Sequence, residues 1–294
     1  MIAFYEVTQA CDLVCSHCRA CAQPKPHPNE LSTELSLRLI EQLTSFPIPP
    51  MLVLTGGDPL KRRDLFELIE RATSRGLDVS ITPSPTRLVT AQAICRLRDA
   101  GISRLAISID GADAPTNDAL RGVPGSFVRS LKILNDARNA GIPTQVNTTL
   151  HPANAAQVDR MADLLSELGI TMWSVFFLVP VGRARHAHRL SAAEYEIAFA
   201  RLWHQSQRQP YAIKTTEAPH FRRFAILNQA DSASKHVHQH DTTYVPIGVN
   251  DGKGVMFIGH SGTIFPSGFM PIVCGMYPVE NLVDVYQNSH IFRS

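Results

Sequence analysis

Short runs rich in apolar residues alternate with longer amphipathic stretches over the first two thirds of the chain, and the two patterns have different periods. Segments 3–8, 51–55, 77–82, 104–110, 144–150 and 171–178 are short and β-branched or apolar, which predicts strands. Between them the spacing predicts helices over 33–45, 63–75, 90–100, 126–140 and 155–168. The fourth helix shows the rule: Phe127, Leu131, Leu134 and Ala137 recur at intervals of three and four, while Arg129, Lys132 and Arg138 fall on other faces. Gly76, Gly101, Gly141 and Gly169 stand at the predicted helix ends, as C-terminal caps do. Strand and helix in strict alternation build βαβ units and a parallel sheet. Six such units are too few to close an eight-unit barrel, so the expected fold is an α/β partial (β/α)6 barrel, open on one side.

The pattern weakens after Pro180. A helix over 191–206 and short strands near 255–258 and 263–265 are expected, with turns at Asp251-Gly252 and Ser261-Gly262. This predicts a core domain over 1–205 and a small, irregular C-terminal extension over 206–294. A net charge of +2 with 18% charged residues offers no electrostatic case for nucleic acid or an anionic membrane. The N-terminus lacks the basic flank and apolar run of a signal peptide, and no stretch is long and apolar enough to span a bilayer. The expected setting is the cytoplasm, with a small molecule or peptide as partner.

Chemistry enters with the cysteines. Of six, Cys11, Cys15, Cys18 and Cys21 crowd into one loop directly after the first strand, and Cys95 and Cys274 stand alone. In a reducing compartment such crowding reads as metal or cluster binding. Three thiolates in the order C-x3-C-x2-C can hold an iron–sulfur cluster with one iron left open. The spacing differs from the ferredoxin run, and a structural zinc site would need a second ligand pair. A second signal is Thr55-Gly56-Gly57-Asp58-Pro59 at the end of the second strand, where paired glycines let backbone approach a ligand closely or shape a tight turn.

A C-x3-C-x2-C loop after the first strand of a repeating βα chain resembles the radical SAM superfamily, and TGGDP is similar to that family's GGEP motif with Asp58 in place of Glu. The resemblance implies that Cys11, Cys15 and Cys18 bind a 4Fe-4S cluster and that Thr55, Gly56, Gly57, Asp58 and Pro59 bind S-adenosylmethionine (SAM). Cys21 lies outside the motif and is expected to be a buried or spare thiol. SIDG, with Ser108 and Asp110, resembles the fourth-strand segment of family members that modify peptides and cofactors. Thr82 and Asn147 also sit at strand ends, where such folds aim side chains at a ligand; the plainer reading is that these polar residues end strands or cap turns.

The segment Val179-Pro180-Val181-Gly182-Arg183 resembles one found in the SPASM-type branch, which includes enzymes acting on haem precursors and on peptides. Arg183 is therefore expected to meet a carboxylate of SAM or substrate. GHSGTIFPSG resembles the start of a SPASM extension, with Ser267 where that family has an auxiliary-cluster cysteine. The sequence therefore offers one cluster site. The activity implied is reductive SAM cleavage to a 5'-deoxyadenosyl radical that modifies a peptide or tetrapyrrole, fed by a flavodoxin or ferredoxin. The alternative is a non-catalytic metal-binding or electron-transfer module. His236, His238 and His240 read as a solvated polar loop or a metal site, and Arg222 and Arg223 as a helix surface or a contact for acidic substrate groups.

Overall fold

The computed structural model describes residues 1–233 and 251–293, so the histidine run lies outside the described residues. Its strands are β1 (Ile2–Thr8), β2 (Met51–Gly56), β3 (Val79–Ile81), β4 (Arg104–Ser108), β5 (Thr144–Leu150), β6 (Met172–Phe177), β7 (Ala212–Thr216), β8 (Val255–Ile258), β9 (Thr263–Phe265) and β10 (Gly275–Met276). They form one sheet in the order β10-β9-β8-β1-β2-β3-β4-β5-β6-β7. From β8 through β1 to β7 every neighbouring pair is parallel, and only the β8–β9 and β9–β10 pairs are antiparallel. All six expected strands are present, flanked by β7 on one edge and β8 on the other.

The helices are α1 (Thr33–Thr44), α2 (Leu65–Ser74), α3 (Ala91–Asp99), α4 (Ala114–Arg121), α5 (Ser126–Asn139), α6 (Val158–Glu167), α7 (Ala192–Ser206), α8 (Phe221–Ala233) and α9 (Leu282–Asn288). Local chemistry sets their starts. Ser32, Thr90 and Asp113 cap α1, α3 and α4, and Ser191 with Glu194 forms a capping box on α7. Arg223 on α8 pairs with Glu196 on α7, both side chains about half exposed on the helix surface.

One face of the sheet is sealed and the other is only partly covered. Tyr5, Leu52, Leu54, Val79, Leu105, Val146 and Val175 join the helices in a single core. Truncating one of these to Ala costs about 2–5 kcal/mol. Trp173, fully buried there, donates its indole N–H to Thr148 Oγ1 at 2.8 Å. Along β5 the opposite side chains, Gln145, Asn147 and Thr149, stay only half-buried, as do Phe4, Thr55, Ser108, Phe176 and Lys214 on neighbouring strands. Ser80, Ala106, Ser174 and Phe257 on this inner face are buried, so it is partly accessible, and parallel strands bring their C-terminal ends to one rim beside it. Among the described residues no helix is long and apolar enough to cross a membrane.

Candidate active site

The cysteine loop is pinned where it leaves β1. Cys11 N donates to Gln23 O at 2.7 Å and Gln23 N to Gln9 O at 3.0 Å, so residues 11–22 form a closed loop on the rim. Inside it Cys11, Leu13, Cys15 and Ala22 make an apolar cluster of their own, with Cys18 and Val123 packed against it. Every sulfur has a polar hydrogen near it. Leu13 N lies 3.3 Å from Cys11 Sγ, Ala22 N 3.4 Å from Cys18 Sγ, and Arg121 Nη1 3.8 Å from Cys15 Sγ. Burial pushes the free thiols of Cys11 and Cys15 up, and these donors act in the opposite direction. Ligation deprotonates a thiol, and such donors then face a thiolate. Cys21 is half-buried at positive φ, and Cys95 is exposed on α3, apart from the loop.

The TGGDP segment is clamped onto this loop. Gly57 N donates to Thr8 O at 2.8 Å and Asp58 N to Ala10 O at 2.7 Å. A Cβ on Gly56 would stand 2.4 Å from Thr8 O, and one on Gly57 would stand 2.4 Å from Ala10 O. The two glycines therefore admit the backbone that leads to Cys11. Asp58 is also turned inward. Its fully buried carboxylate accepts from Thr86 Oγ1 at 2.7 Å, Leu60 N at 3.2 Å and Ser84 N at 3.4 Å, and burial still pushes it up to about 6. Pro59 is buried at the start of a single 3-10 turn, and Lys61 from that turn bonds Asp12 and the Pro24 carbonyl. Thr55 remains half-buried at the end of β2.

Asp110 is a structural anion. It is fully buried, with Oδ2 2.6 Å from Arg121 Nη2 and 3.3 Å from His17 Nε2, and Oδ1 accepting from Thr149 N at 2.7 Å. Burial opposes its charge, yet Arg121 and His17 beside it hold the carboxyl well below the usual carboxylate range. Through Arg121 and His17 it braces the cysteine loop from the segment just after β4. Thr82, Ser108 and Asn147 are half-buried on the inner face; Asn147 Oδ1 accepts from Gln145 Nε2 at 2.7 Å. Arg183 N donates to Cys18 O at 3.0 Å, which sets it against the cysteine loop, and although burial opposes it, the nearby Cys18, Cys15 and Cys21 thiols push its guanidinium up from the usual range.

Three residues at this site carried no sequence signal. Ser84 donates to Gly57 O at 2.8 Å and lies 3.3 Å from Cys11 Sγ. Arg121 bridges Cys15 and Asp110 from α4. Arg19 bonds Glu6 at 2.7 Å and stacks its guanidinium 4.4 Å above the Phe257 ring, while His260 Nδ1 meets the same carboxylate at 2.6 Å. Glu6, buried on β1, thus ties the cysteine loop to β8 and the turn after it.

A partial parallel barrel with three clustered thiols on its rim and a glycine pair locked to them defines a radical SAM core. Residues 5–165 match the Radical SAM superfamily model, and the chain belongs to that superfamily. It is an enzyme of this class, whose members use a 4Fe-4S cluster and SAM. Among curated proteins it is 34% identical to the AdoMet-dependent heme synthase of Methanosarcina barkeri, over 98% of this chain and 82% of that one. It is 36% identical to the AdoMet-dependent heme synthase of Nitratidesulfovibrio vulgaris, over 98% of this chain and 79% of that one. Among solved structures, Streptococcus suis SuiB bound to S-adenosylmethionine superposes with a TM-score of 0.76 at 16% identity; the match covers 99% of this chain and 66% of SuiB.

Proposed function

We propose that the protein is a radical SAM enzyme acting on a tetrapyrrole of the haem-precursor class, with its cluster on Cys11, Cys15 and Cys18. The observation that supports the cluster site most is the clamp: three thiols on one loop, two buried and one half-buried in a small apolar cluster, held by a glycine pair that leaves no room for side chains. The donor set fits a 4Fe-4S cluster, which takes thiolate ligands and N–H···S bonds. When bound, the cluster and SAM supply one-electron reductive cleavage and hydrogen abstraction. The chain's own residues prepare for it. Leu13, Ala22 and Val123 exclude water from the thiols, Arg121 places positive charge beside Cys15, and Asp110 holds Arg121 in place. Thr55 faces the rim for SAM, with Thr82, Ser108 and Asn147 on the half-buried face beside it; Gly56 and Gly57 lock that strand end to the cysteine loop, and buried Asp58, Pro59 and Asp110 act by shaping backbone rather than by direct contact.

The tetrapyrrole rather than the peptide reading is favoured by the relatives, whose identity extends over nearly the whole chain, whereas the likeness to SuiB supports the fold alone. Residues 206–294 are assigned to a SPASM-like extension over a 1–205 core, and the Glu6, Arg19 and His260 contact joins the two. A flavodoxin or ferredoxin in a reducing cytoplasm, which suits six free cysteines, is the proposed electron source. The test is anaerobic turnover with SAM and reductant. An iron porphyrin bearing propionates should raise 5'-deoxyadenosine release several-fold above a substrate-free control. Stimulation by cysteine-containing peptides and none by porphyrins would reverse the choice.

A further inference from the structure

Two cations stand on the partly accessible inner face of the sheet. The pairing registers set Ser108, Asn147, Ser174 and Lys214 side by side across β4, β5, β6 and β7. Residues between them in each strand, such as Ile107, Val146, Val175 and Ile213, belong to the helix-facing core, so this row points inward. Arg104, the first residue of β4, lies on the same face. Its Nη1 donates to Gln145 Oε1 at 3.3 Å and approaches Met172 Sδ at 3.9 Å, while its Nε is buried without a partner.

Among the described residues neither Arg104 nor Lys214 has a carboxylate within ion-pair distance. Burial and the neighbouring Arg104 charge pull the Lys214 ammonium down from its usual range. Removing a cation from water without a counter-ion is costly, and placing a second cation near it adds to that cost. Other buried charges in this protein avoid the problem: Arg62 has Asp64, Arg121 has Asp110, and Arg19 has Glu6. The inner face also carries half-buried aromatic rings, Phe4, which is backed by buried Phe257 at 6.5 Å, and Phe176, which lies against Phe269 at 5.9 Å. Aromatic walls with two unneutralised cations suit an apolar, planar ligand that carries carboxylate arms.

We propose that Arg104 and Lys214 form the site for a carboxylate of the substrate, the guanidinium supplying directional N–H donors and the ammonium a point charge. This rests on the tetrapyrrole reading, because propionate arms provide the anion. The two residues are binding residues on the floor of the site, separate from the cysteine loop.

The experiment titrates the reconstituted full chain, anaerobically and with SAM present, into mesoporphyrin IX and into its dimethyl ester, following porphyrin fluorescence anisotropy. Wild type should bind the diacid at least about tenfold more tightly than the ester, the loss expected when a charged hydrogen bond goes unmade. Lys214→Met and Arg104→Gln should each weaken diacid binding by about tenfold and leave ester binding unchanged, whereas Lys214→Arg should stay within about threefold of wild type. Thermal melts of each variant report whether it folds. Unchanged diacid affinity in both Lys214→Met and Arg104→Gln would overturn the assignment, as would an equal loss for the ester. Wild type binding diacid and ester alike would overturn the carboxylate site and leave the tetrapyrrole reading standing. Failure of wild type to bind either porphyrin would overturn that reading as well.

Discussion

Gly57→Ala perturbs the site at its tightest contact. The added Cβ would lie 2.4 Å from Ala10 O, 2.7 Å from Ala10 C and 2.7 Å from Gln9 O, all of them backbone atoms. A comfortable C···O contact is about 3.3 Å or longer, so the strand end and the cysteine loop must separate by roughly 1 Å. Neither side yields easily, since Gly57 N and Asp58 N both bond the strand they would have to leave. Overpacking of this kind costs about 1–3 kcal/mol, which lowers the melting midpoint by roughly 3–8 °C. Cys11 follows Ala10 directly, so its thiol moves out of register with Cys15 and Cys18. Iron content after reconstitution should therefore fall together with SAM binding. Gly76→Ala is the control: its Cβ meets nothing within 4 Å, so it should cost some stability through its positive φ and leave iron loading intact. The assay is iron and sulfide content, a thermal melt and equilibrium SAM binding on the same preparations. Full iron content with lost SAM binding in Gly57→Ala would mean that the glycine faces the ligand, and the packing argument would be refuted.

Three further outcomes follow from the same contacts. Cys11→Ala, Cys15→Ala and Cys18→Ala should each abolish cluster assembly, while Cys21→Ala and Cys95→Ala should retain about four irons per chain, the content of one 4Fe-4S cluster, by iron analysis and EPR. Asp110→Ala strands Arg121 in the interior, so chemical denaturation should show a loss of about 3–5 kcal/mol, whereas a loss under 1 kcal/mol would deny the pair its bracing role. Burial, with Asp251 nearby, pushes the Glu217 carboxyl up to about 7. The unfolded chain releases that proton near pH ~4.3, so wild type loses stability as pH rises from there towards 7. Glu217→Gln should be the more stable protein above pH 7 by thermal melt, with the advantage fading at low pH.

What could be read from the sequence was what short-range pattern encodes. The six core strands follow from apolar alternation, and the thiols follow from spacing within one loop. Helix α4 escaped notice because its buried face is polar: Asn117 bonds Asp110 N and Ser126, and Arg121 serves Cys15 and Asp110, so no apolar period marks it. Strand β7 was hidden for a related reason, since its inward positions include Lys214 and Thr216. Ser84 and Arg121 reach the site across sequence separations that no local motif spans, and Arg19, although next to Cys18, shows its role only through Glu6 on β1 and Phe257 on β8. The glycine pair is legible as a motif, but its contact with the backbone of Thr8 and Ala10 is visible only in the folded chain.

The central claim is that this cysteine loop supports SAM chemistry, and one anaerobic measurement tests it most directly. The chain is reconstituted with iron and sulfide, reduced with dithionite in the presence of SAM, and assayed for 5'-deoxyadenosine and methionine beside the Cys11/Cys15/Cys18 triple Ala variant. Formation of 5'-deoxyadenosine and methionine in equal amounts by wild type, and none by the triple variant, is the predicted result. A fully iron-loaded, SAM-binding wild type that releases no 5'-deoxyadenosine, or a triple variant that releases as much, would contradict it.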